Sequence, residues 1–286
     1  MGGIIILVDC LALLVTNVFN VNGAAVFEDP NDPSNLLFLI VVMLVFTGAI
    51  LVFARFHLMK ILKGIFLLST SSLILIVIYL LTSTFIADPW AFILSVTATI
   101  ALITLLIKYP EWYVVDICGG ILGVGSIVLF GISLSVPLVV ALLIIMAVYD
   151  IISVYKTKHM IDLADAVVNL RIPAMLVVPK NRDYSFIKEI QSLKEKIERG
   201  EKREAFFLGL GDIVFPGILA ESSFFNIVGN GFTIALSVII GTLFGFVALS
   251  ALVIKGKPQA GLPFLCSGAI LGYLVSTFLL YSRFFV

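Results

Sequence analysis

Charged residues are scarce outside one segment of the sequence, and this scarcity excludes a water-soluble protein. Of 286 residues, 13% are charged and 61% are hydrophobic, whereas soluble domains have about 25% charged and 45–50% apolar residues. The 18 basic residues balance the 18 acidic ones, so we expect no nucleic-acid partner. Residues 156–204 hold 19 of these 36 charges, eleven basic and eight acidic. The composition predicts a membrane protein interrupted by one polar loop.

Cysteine and histidine are also scarce, which excludes several kinds of site. The three cysteines, Cys10, Cys118 and Cys266, lie singly in apolar runs, so we expect packing roles and neither disulfides nor a zinc site. The two histidines, His57 and His159, lie on different polar segments and cannot form an H-E-x-x-H site or a buried Ser-His pair. We therefore expect no metal and no other cofactor.

Nine apolar runs have about the 20 residues that a helix needs to cross a bilayer. They cover residues 3–22, 35–54, 62–86, 90–107, 112–131, 134–155, 205–226, 230–254 and 260–284. We predict an all-α integral membrane protein with nine transmembrane helices. Residues 1–155 form helices 1 to 6, residues 156–204 form a cytoplasmic loop, and residues 205–286 form helices 7 to 9.

The distribution of Lys and Arg predicts the orientation of these helices. With nine spans, 17 of the 18 basic residues fall on the side of the N-terminus and only Arg283 falls on the other. Cytoplasmic loops carry the excess of basic residues, so we place the N-terminus in the cytoplasm and the C-terminus outside. In a prokaryote the membrane would be the plasma membrane.

The polar loop contains two segments with a recognisable pattern. Residues 173–179 (PAMLVVP) form a short apolar run bracketed by prolines, which indicates an extended strand. Residues 185–204 place apolar side chains at helical spacing between charges, which fits an interfacial amphipathic helix or, equally well, a solvated tether.

Five acidic residues lie inside predicted spans, where a charge is costly and usually functional. Asp9, Asp116 and Glu221 lie near span ends, so we expect them to reach towards water or to pair locally. Asp150 and Asp212 differ because helical rise places both about 9–12 Å below the cytoplasmic surface. Two adjacent carboxyl groups sharing one proton can activate water, as in aspartic proteases. An acid pair that only holds the helices together is the alternative.

The neighbours of these two acids favour chemistry. Asp212 ends the run Gly209-Leu210-Gly211-Asp212, whose glycines allow another backbone to approach, although glycines also serve helix packing. Pro216 lies four residues further on and weakens the helix beside the acid. Residues 257–263 (KPQAGLP) predict a partly extended entrance to helix 9 that suits an extended peptide, or simply a helix that starts at a proline.

Three motifs together resemble the Y-D, G-x-G-D and P-A-L signatures of the presenilin and signal peptide peptidase family. They are Tyr149-Asp150, Gly209-Leu210-Gly211-Asp212 and Ala260-Gly261-Leu262. The resemblance covers nearly the whole chain and implies an intramembrane aspartyl protease with Asp150 and Asp212 as its catalytic pair. Tyr149, Gly209, Leu210 and Gly211 would support the active site.

The resemblance also implies how substrate is bound. Ala260, Gly261 and Leu262 would help to bind transmembrane peptide substrates, and the stretch before helix 7 would pair with them as a strand. Only the leucine of P-A-L is retained, with a proline shifted to Pro258. The predicted orientation is similar to that of presenilin, which implies single-span substrates with the N-terminus outside. We expect a microbial homologue in the lipid bilayer that needs no obligatory partner subunit, with homo-oligomerisation left open.

Two other functions compete with this hypothesis. A prepilin-type G-x-G-D peptidase would share one motif but not the signals on helices 6 and 9. A proton- or cation-coupled transporter or leak channel would also use intramembrane acids and broken helices. Against a transporter, the halves of the chain show no convincing repeat, and both acids lie nearer one surface than the midplane.

Overall fold

The computed structural model describes residues 1–56, 59–157, 173, 175–180, 205–253 and 260–284. The part that it describes contains nine α-helices, one π-helical turn and two strands. The helices are α1 (Gly2–Val21), α2 (Pro33–Arg55), α3 (Met59–Ser83), α4 (Trp90–Lys108), α5 (Trp112–Ser133), α6 (Val136–Ile152), α7 (Leu210–Asn226), α8 (Gly231–Val253) and α9 (Leu262–Tyr281). The π-helical turn is Ser153–Thr157, and the strands are β1 (Met175–Pro179) and β2 (Ala205–Gly209).

The nine predicted helices are confirmed as helices, with one substantial change of boundary. Eight of them are long and apolar enough to cross a membrane, and α7 has only 17 residues. Residues 205–209, predicted as the start of helix 7, form strand β2 instead. A short apolar run cannot be assigned to helix or strand from periodicity alone. Residues 205–209 form a strand because they pair with β1. The depth predicted for Asp212 assumed a helix from residue 205, so it does not hold.

Several helix ends follow from local sequence. The Asp32 carboxylate accepts hydrogen bonds from the Ser34 hydroxyl and, at 2.9 Å, from the Ser34 backbone N–H, which caps the start of α2. These bonds lower the pKa of Asp32. Prolines stand in the first turns of α6 and α9, where a missing N–H is tolerated.

The chain divides into two compact units. The first comprises Met1–Leu36, Ser126–Met160 and Gly211–Val286, and it holds α1, α6, α7, α8 and α9. In this unit α8 and α9 pack closely, because a Cβ on any of four glycines would overlap the backbone of the other helix. These are Gly241, Gly245, Gly268 and Gly272. Small residues of this kind commonly let membrane helices approach closely.

The second unit comprises Leu37–Gly125 and Ile161–Leu210. It holds α3, α4 and the antiparallel pair β1–β2, with Met175 opposite Gly209 and Pro179 opposite Ala205. The strand predicted within residues 173–179 is therefore confirmed. Its inner side chain Val177 and Ala205 of β2 join a buried cluster with Ile74, Val115 and Cys118. The amphipathic segment predicted at 185–204 lies outside the described residues.

Candidate active site

Asp150 lies near the end of α6 and is held by the start of α9. Its side chain is buried, and its Oδ2 accepts a hydrogen bond of 3.1 Å from the backbone N–H of Leu262. The backbone N–H of Gly261 also donates to this carboxyl group. Because the first N–H groups of a helix have no partner within the helix, they form a ready site for a carboxylate. The entrance of α9 therefore fixes Asp150.

Asp212 lies in the first turn of α7 and approaches the same segment. A Cβ atom added to Gly261 would lie 3.1 Å from Asp212 Oδ2 and 3.3 Å from its Cγ. The missing side chain of Gly261 thus leaves room for this carboxyl group. Asp212 is half-buried, whereas Asp150 is 3% exposed. The two acids, 62 positions apart in sequence, converge on Gly261–Leu262.

The sequence analysis did not predict one residue that lies beside these acids. The buried thiol of Cys266, one turn into α9, lies close enough to both Asp150 and Asp212 to be affected by their charges. Its spacing of four residues after Leu262 is the only sequence signal that could have indicated this, because i and i+4 share a helix face. Cys266 is a free cysteine.

The supporting residues predicted from the motifs occupy three elements. Tyr149 precedes Asp150 on α6, Gly209 ends β2, and Leu210 and Gly211 begin α7. We predicted that the glycines of this run admit another backbone. A Cβ on Gly211 would make only ordinary contact, 3.5 Å, with the Phe215 ring. At Gly209 the backbone of β1 lies opposite, at Met175, whereas the group that comes close to Gly261 is the Asp212 side chain.

Of the three predicted substrate-binding residues, Gly261 and Leu262 lie beside the acids. Ala260 and Leu262 are buried, at 1% and 7% exposed, and Gly261 is the residue before α9. Residues 257–259, which we predicted as part of an extended entrance, lie outside the described residues. The two histidines, which the sequence excluded from a catalytic role, also lie there.

The remaining intramembrane acids have two different environments. Asp116 on α5 accepts a 2.7 Å hydrogen bond from the backbone N–H of Val177 on β1, so it pairs locally as predicted. Asp9 and Glu221 do not reach water, and that part of the prediction is wrong: they are 2% and 0% exposed. Asp9 and Glu221 lie close enough for a charge on one to affect the other. The sequence did not indicate this second acid pair, because its members lie 212 positions apart on α1 and α7.

Two glycines leave room for the side chains of Asp9 and Glu221. A Cβ on Gly217 would lie 2.6 Å from Asp9 Oδ1, and a Cβ on Gly131 would overlap the Cβ and Cγ of Glu221. The Thr16 Oγ1 lies within hydrogen-bond distance of Glu221 Oε1, at 2.5 Å. Among the described residues, Asp9 Oδ1 and Glu221 Oε2 have no hydrogen-bond partner.

Comparison with known proteins identifies the family. A family model described as "Signal-peptide peptidase, presenilin aspartyl protease" matches residues 2–282. Two solved structures are also similar, each described as a presenilin family intramembrane aspartate protease. The one in space group P2 has a TM-score of 0.70 and 31% identity, covering 98% of this chain and 96% of that chain.

The structure in space group C222 has a TM-score of 0.68 and 28% identity, covering 96% of this chain and 94% of that chain. A comparison with functionally curated proteins finds no significant match. The similarity extends over essentially the whole chain, so the membrane helices and the segment that brings Asp150 and Asp212 together fall within it. The chain belongs to the signal-peptide peptidase and presenilin family, and it is a multi-pass intramembrane aspartyl protease.

Proposed function

We propose that Asp150 and Asp212 are the catalytic pair of this protease and that it cuts the transmembrane segments of single-span substrates. The observation that carries the proposal is the convergence of both carboxyl groups on Gly261–Leu262. Each acid also lies at the N-terminal end of a helix, Asp212 in α7 and Asp150 against α9. The partial positive charge there favours a negative group, so the pair can retain one ionised carboxyl group inside the membrane.

The proposed reaction needs one ionised and one protonated carboxyl group. The carboxylate takes a proton from water while the water oxygen attacks the peptide carbonyl carbon. The protonated acid donates its proton to the carbonyl oxygen, which gives a tetrahedral diol. Collapse of the diol breaks the C–N bond: the leaving nitrogen receives the proton that the first carboxylate took from water, and a diol hydroxyl returns a proton to the other carboxylate. The pair titrates as a unit, so the cleavage rate should peak at intermediate pH and fall in alkaline solution. A rate that kept rising there would contradict a shared proton.

The entrance of α9 is proposed to hold the substrate next to the acids. Ala260 precedes the helix, and its neighbours Gly261 and Leu262 direct backbone N–H groups at Asp150. A substrate unwound at the cytoplasmic end of its span has backbone groups that must be paired. Ala260 lies before the helix, and its backbone is proposed to make that pairing, as in other modes of extended-peptide recognition.

Strand β2 is proposed as a second element that holds substrate. On β1, the N–H of Val177 donates to Asp116 and so points away from β2. Its antiparallel partner Phe207 must likewise direct its N–H away from β1, because such partners orient their polar groups alike. That edge of β2 has no strand partner among the described residues. An extended substrate can add there as a third strand.

Replacing Phe207 tests this strand. Phe207→Pro removes one outward N–H and leaves the bonds between β1 and β2, since proline is tolerated at sheet edges. We expect KM to rise with little change in kcat. Phe207→Ala is the matched control, because it loses the ring but keeps the N–H. An equal rise of KM in both variants would show that the side chain matters, and not the strand edge.

The proposed catalytic pair is tested by mass spectrometry of cleavage products. The purified chain alone, in detergent, is incubated with a single-span substrate whose N-terminus lies outside. We expect cuts inside the span from the parent protein and none from Asp150→Asn or Asp212→Asn. Cleavage by the isolated chain would also support activity without an obligatory partner. Persistent cutting by either variant would contradict the pair.

A further inference from the structure

We propose that Asp9 and Glu221 form a second buried carboxyl pair, separate from the catalytic acids, which binds exchangeable protons and joins α1 to α7 while it is neutral. This site is independent of the proposed catalytic chemistry, because neither residue lies at the entrance of α9. It rests on three observations: the space that two glycines leave for these side chains, the absence of a cation beside them among the described residues, and two buried oxygens with no hydrogen-bond partner in that part of the chain.

The space that the two acid side chains fill is left by glycines on neighbouring helices. Gly217 leaves the space that Asp9 Oδ1 occupies, and Gly131 leaves the space for the side chain of Glu221. The backbone N–H of Ser222 and the side chain of Ile127 complete the tight surroundings of these two glycines. Larger residues at either glycine would exclude an acid. The packing is therefore arranged around both carboxyl groups and does not merely tolerate them.

The charges around the pair give no means of keeping both acids ionised. From α7, the charge acting on Asp9 is that of Glu221. On α1, the Thr16 hydroxyl forms a hydrogen bond with Glu221. The residues of α5 beside the pair are the uncharged Gly131 and Ile127. No basic side chain faces the pair among the described residues. Two unpaired carboxylates in an apolar interior repel each other and lose their hydration, so the proton remains bound.

The contacts of Thr16 fit a protonated Glu221. The Thr16 oxygen lies 3.1 Å from the carbonyl oxygens of Ala12 and Leu13 and 2.5 Å from Glu221 Oε1. A hydroxyl has one hydrogen to donate. If Glu221 carries a proton, its O–H can donate to Thr16 while the Thr16 hydroxyl donates to a backbone carbonyl. A Glu221 carboxylate would require the single hydrogen of Thr16 and would leave that back-bond unmade.

A metal or sodium ion is a poorer occupant than a proton. Hard cations take about six or more oxygen ligands, and the two oxygens without partners are Asp9 Oδ1 and Glu221 Oε2. No group of three metal-ligating acidic, histidine or cysteine side chains occurs among the described residues. Protons require only the two carboxyl groups and are exchanged with water during rare openings of the α1–α7 contact.

Infrared spectroscopy of the full-length chain tests the proposal directly. The parent for this experiment carries Asp116→Asn, Asp150→Asn and Asp212→Asn, which leaves Asp9 and Glu221 as the acids within the described helices. A protonated carboxyl group has a separate carbonyl stretching band that a carboxylate lacks. We expect this band at neutral pH, a smaller band after Asp9→Asn or Glu221→Gln, and its loss when both are replaced. Glu28→Gln, at an exposed position, is the matched control and should leave the band unchanged.

The pH dependence of thermal unfolding supplies a second readout that uses the otherwise native chain. The folded pair binds protons that the hydrated carboxyl groups of the unfolded chain release more readily. Its stabilisation is therefore present at acidic pH and lost as the pH rises. We expect the unfolding midpoint to fall towards alkaline pH, and to fall less in Glu221→Gln.

Several results would overturn the proposal. A band absent from the triple-amide parent at neutral pH, or unchanged by both replacements, would show that the pair is ionised. If the parent with the three Asp→Asn replacements does not fold, the native chain is compared with Glu221→Gln. The difference between their spectra must then contain the band, and its absence would show that the pair is ionised. A sodium-dependent rise of the unfolding midpoint that Glu221→Gln abolishes, without the band, would assign a cation site. Peptide cleavage by the native chain is unaffected by any of these outcomes.

Discussion

Two pairs of acids in the first unit show how similar residues acquire different roles inside a membrane. Asp150 accepts hydrogen bonds from two backbone N–H groups, and its proposed partner Asp212 is half-buried in the first turn of α7. Asp9 and Glu221 are almost completely buried beside glycines, and each has a carboxyl oxygen without a hydrogen-bond partner among the described residues. Only the first pair has helix N-termini to retain a negative charge. A pair suited to chemistry differs from a tightly packed pair in its backbone N–H donors and in its exposure, more than in its depth in the membrane.

The largest expected effect separates the two pairs by function. Asp150→Asn and Asp212→Asn should each lower kcat by at least about 10³-fold, within the range that positioned acids and bases contribute. Asp9→Asn and Glu221→Gln should keep kcat within about threefold, because they lie outside the proposed reaction. Rates are measured on one purified single-span substrate, with folding checked by circular dichroism. An equal loss of kcat in all four variants would erase the distinction.

The space at Gly261 gives the next largest effect. A branched side chain in Gly261→Val cannot fit beside Asp212 Oδ2, which lies 3.1 Å from the Cβ position. We expect kcat to fall about 10²-fold, because small displacements of a catalytic group have effects of that size. Gly261→Ala is the matched variant, since Asp212 needs to move only slightly, and it should lose less than about tenfold. Full activity in Gly261→Val would show that Asp212 does not require this space.

Overfilling the other pair should affect stability more than rate. In Gly217→Ala the new Cβ would lie 2.6 Å from both Asp9 Oδ1 and Ile127 Cδ1. Overpacking of this kind costs about 1–3 kcal/mol, so the unfolding midpoint in detergent should fall. The control is Gly120→Ala on α5, where an added Cβ meets nothing within 4 Å. A midpoint as high in Gly217→Ala as in the control would show that the α1–α7 contact is loose.

The smallest expected effect concerns Thr16. Thr16→Val removes the hydroxyl that contacts Glu221 Oε1 at 2.5 Å, and should destabilise the protein by about 1 kcal/mol, the usual net value of one hydrogen bond. Thr16→Ser keeps the hydroxyl and serves as the control. Unfolding by denaturant in mixed micelles can measure both. If Thr16→Ser destabilises the protein more than Thr16→Val, packing of the methyl group outweighs the contact with Glu221.

Sequence reasoning succeeded where a pattern is local. Long apolar runs predicted nine helices, because each run must satisfy its backbone within itself in a bilayer. The proline-bracketed residues 173–179 predicted β1. Its partner β2 was assigned to a helix, because Ala205–Gly209 is apolar and the register that makes it a strand comes from residues about thirty positions earlier. The family motifs are local too, and the catalytic role that they imply for Asp150 and Asp212 stays a prediction.

What the sequence could not show depends on how distant helices pack. Asp9 and Glu221 each looked like an acid near the end of a span, and only the α1–α7 contact joins them. Gly217 and Gly131 carry part of the signal, but glycine is common in membrane helices and does not specify which side chain fills its space. The same limit applies to Gly261, whose role depends on the position of Asp212.

Binding of a transition-state mimic tests the central claim most directly. A substrate analogue in which a hydroxyl-bearing carbon replaces the scissile amide resembles the tetrahedral diol, and such analogues bind at least about 10²-fold more tightly than substrates. The account predicts tight binding to the native chain and to Glu221→Gln, and a loss of that advantage in both Asp150→Asn and Asp212→Asn. Equal affinity for all four proteins would contradict the proposal that Asp150 and Asp212 hold the reacting carbon between them.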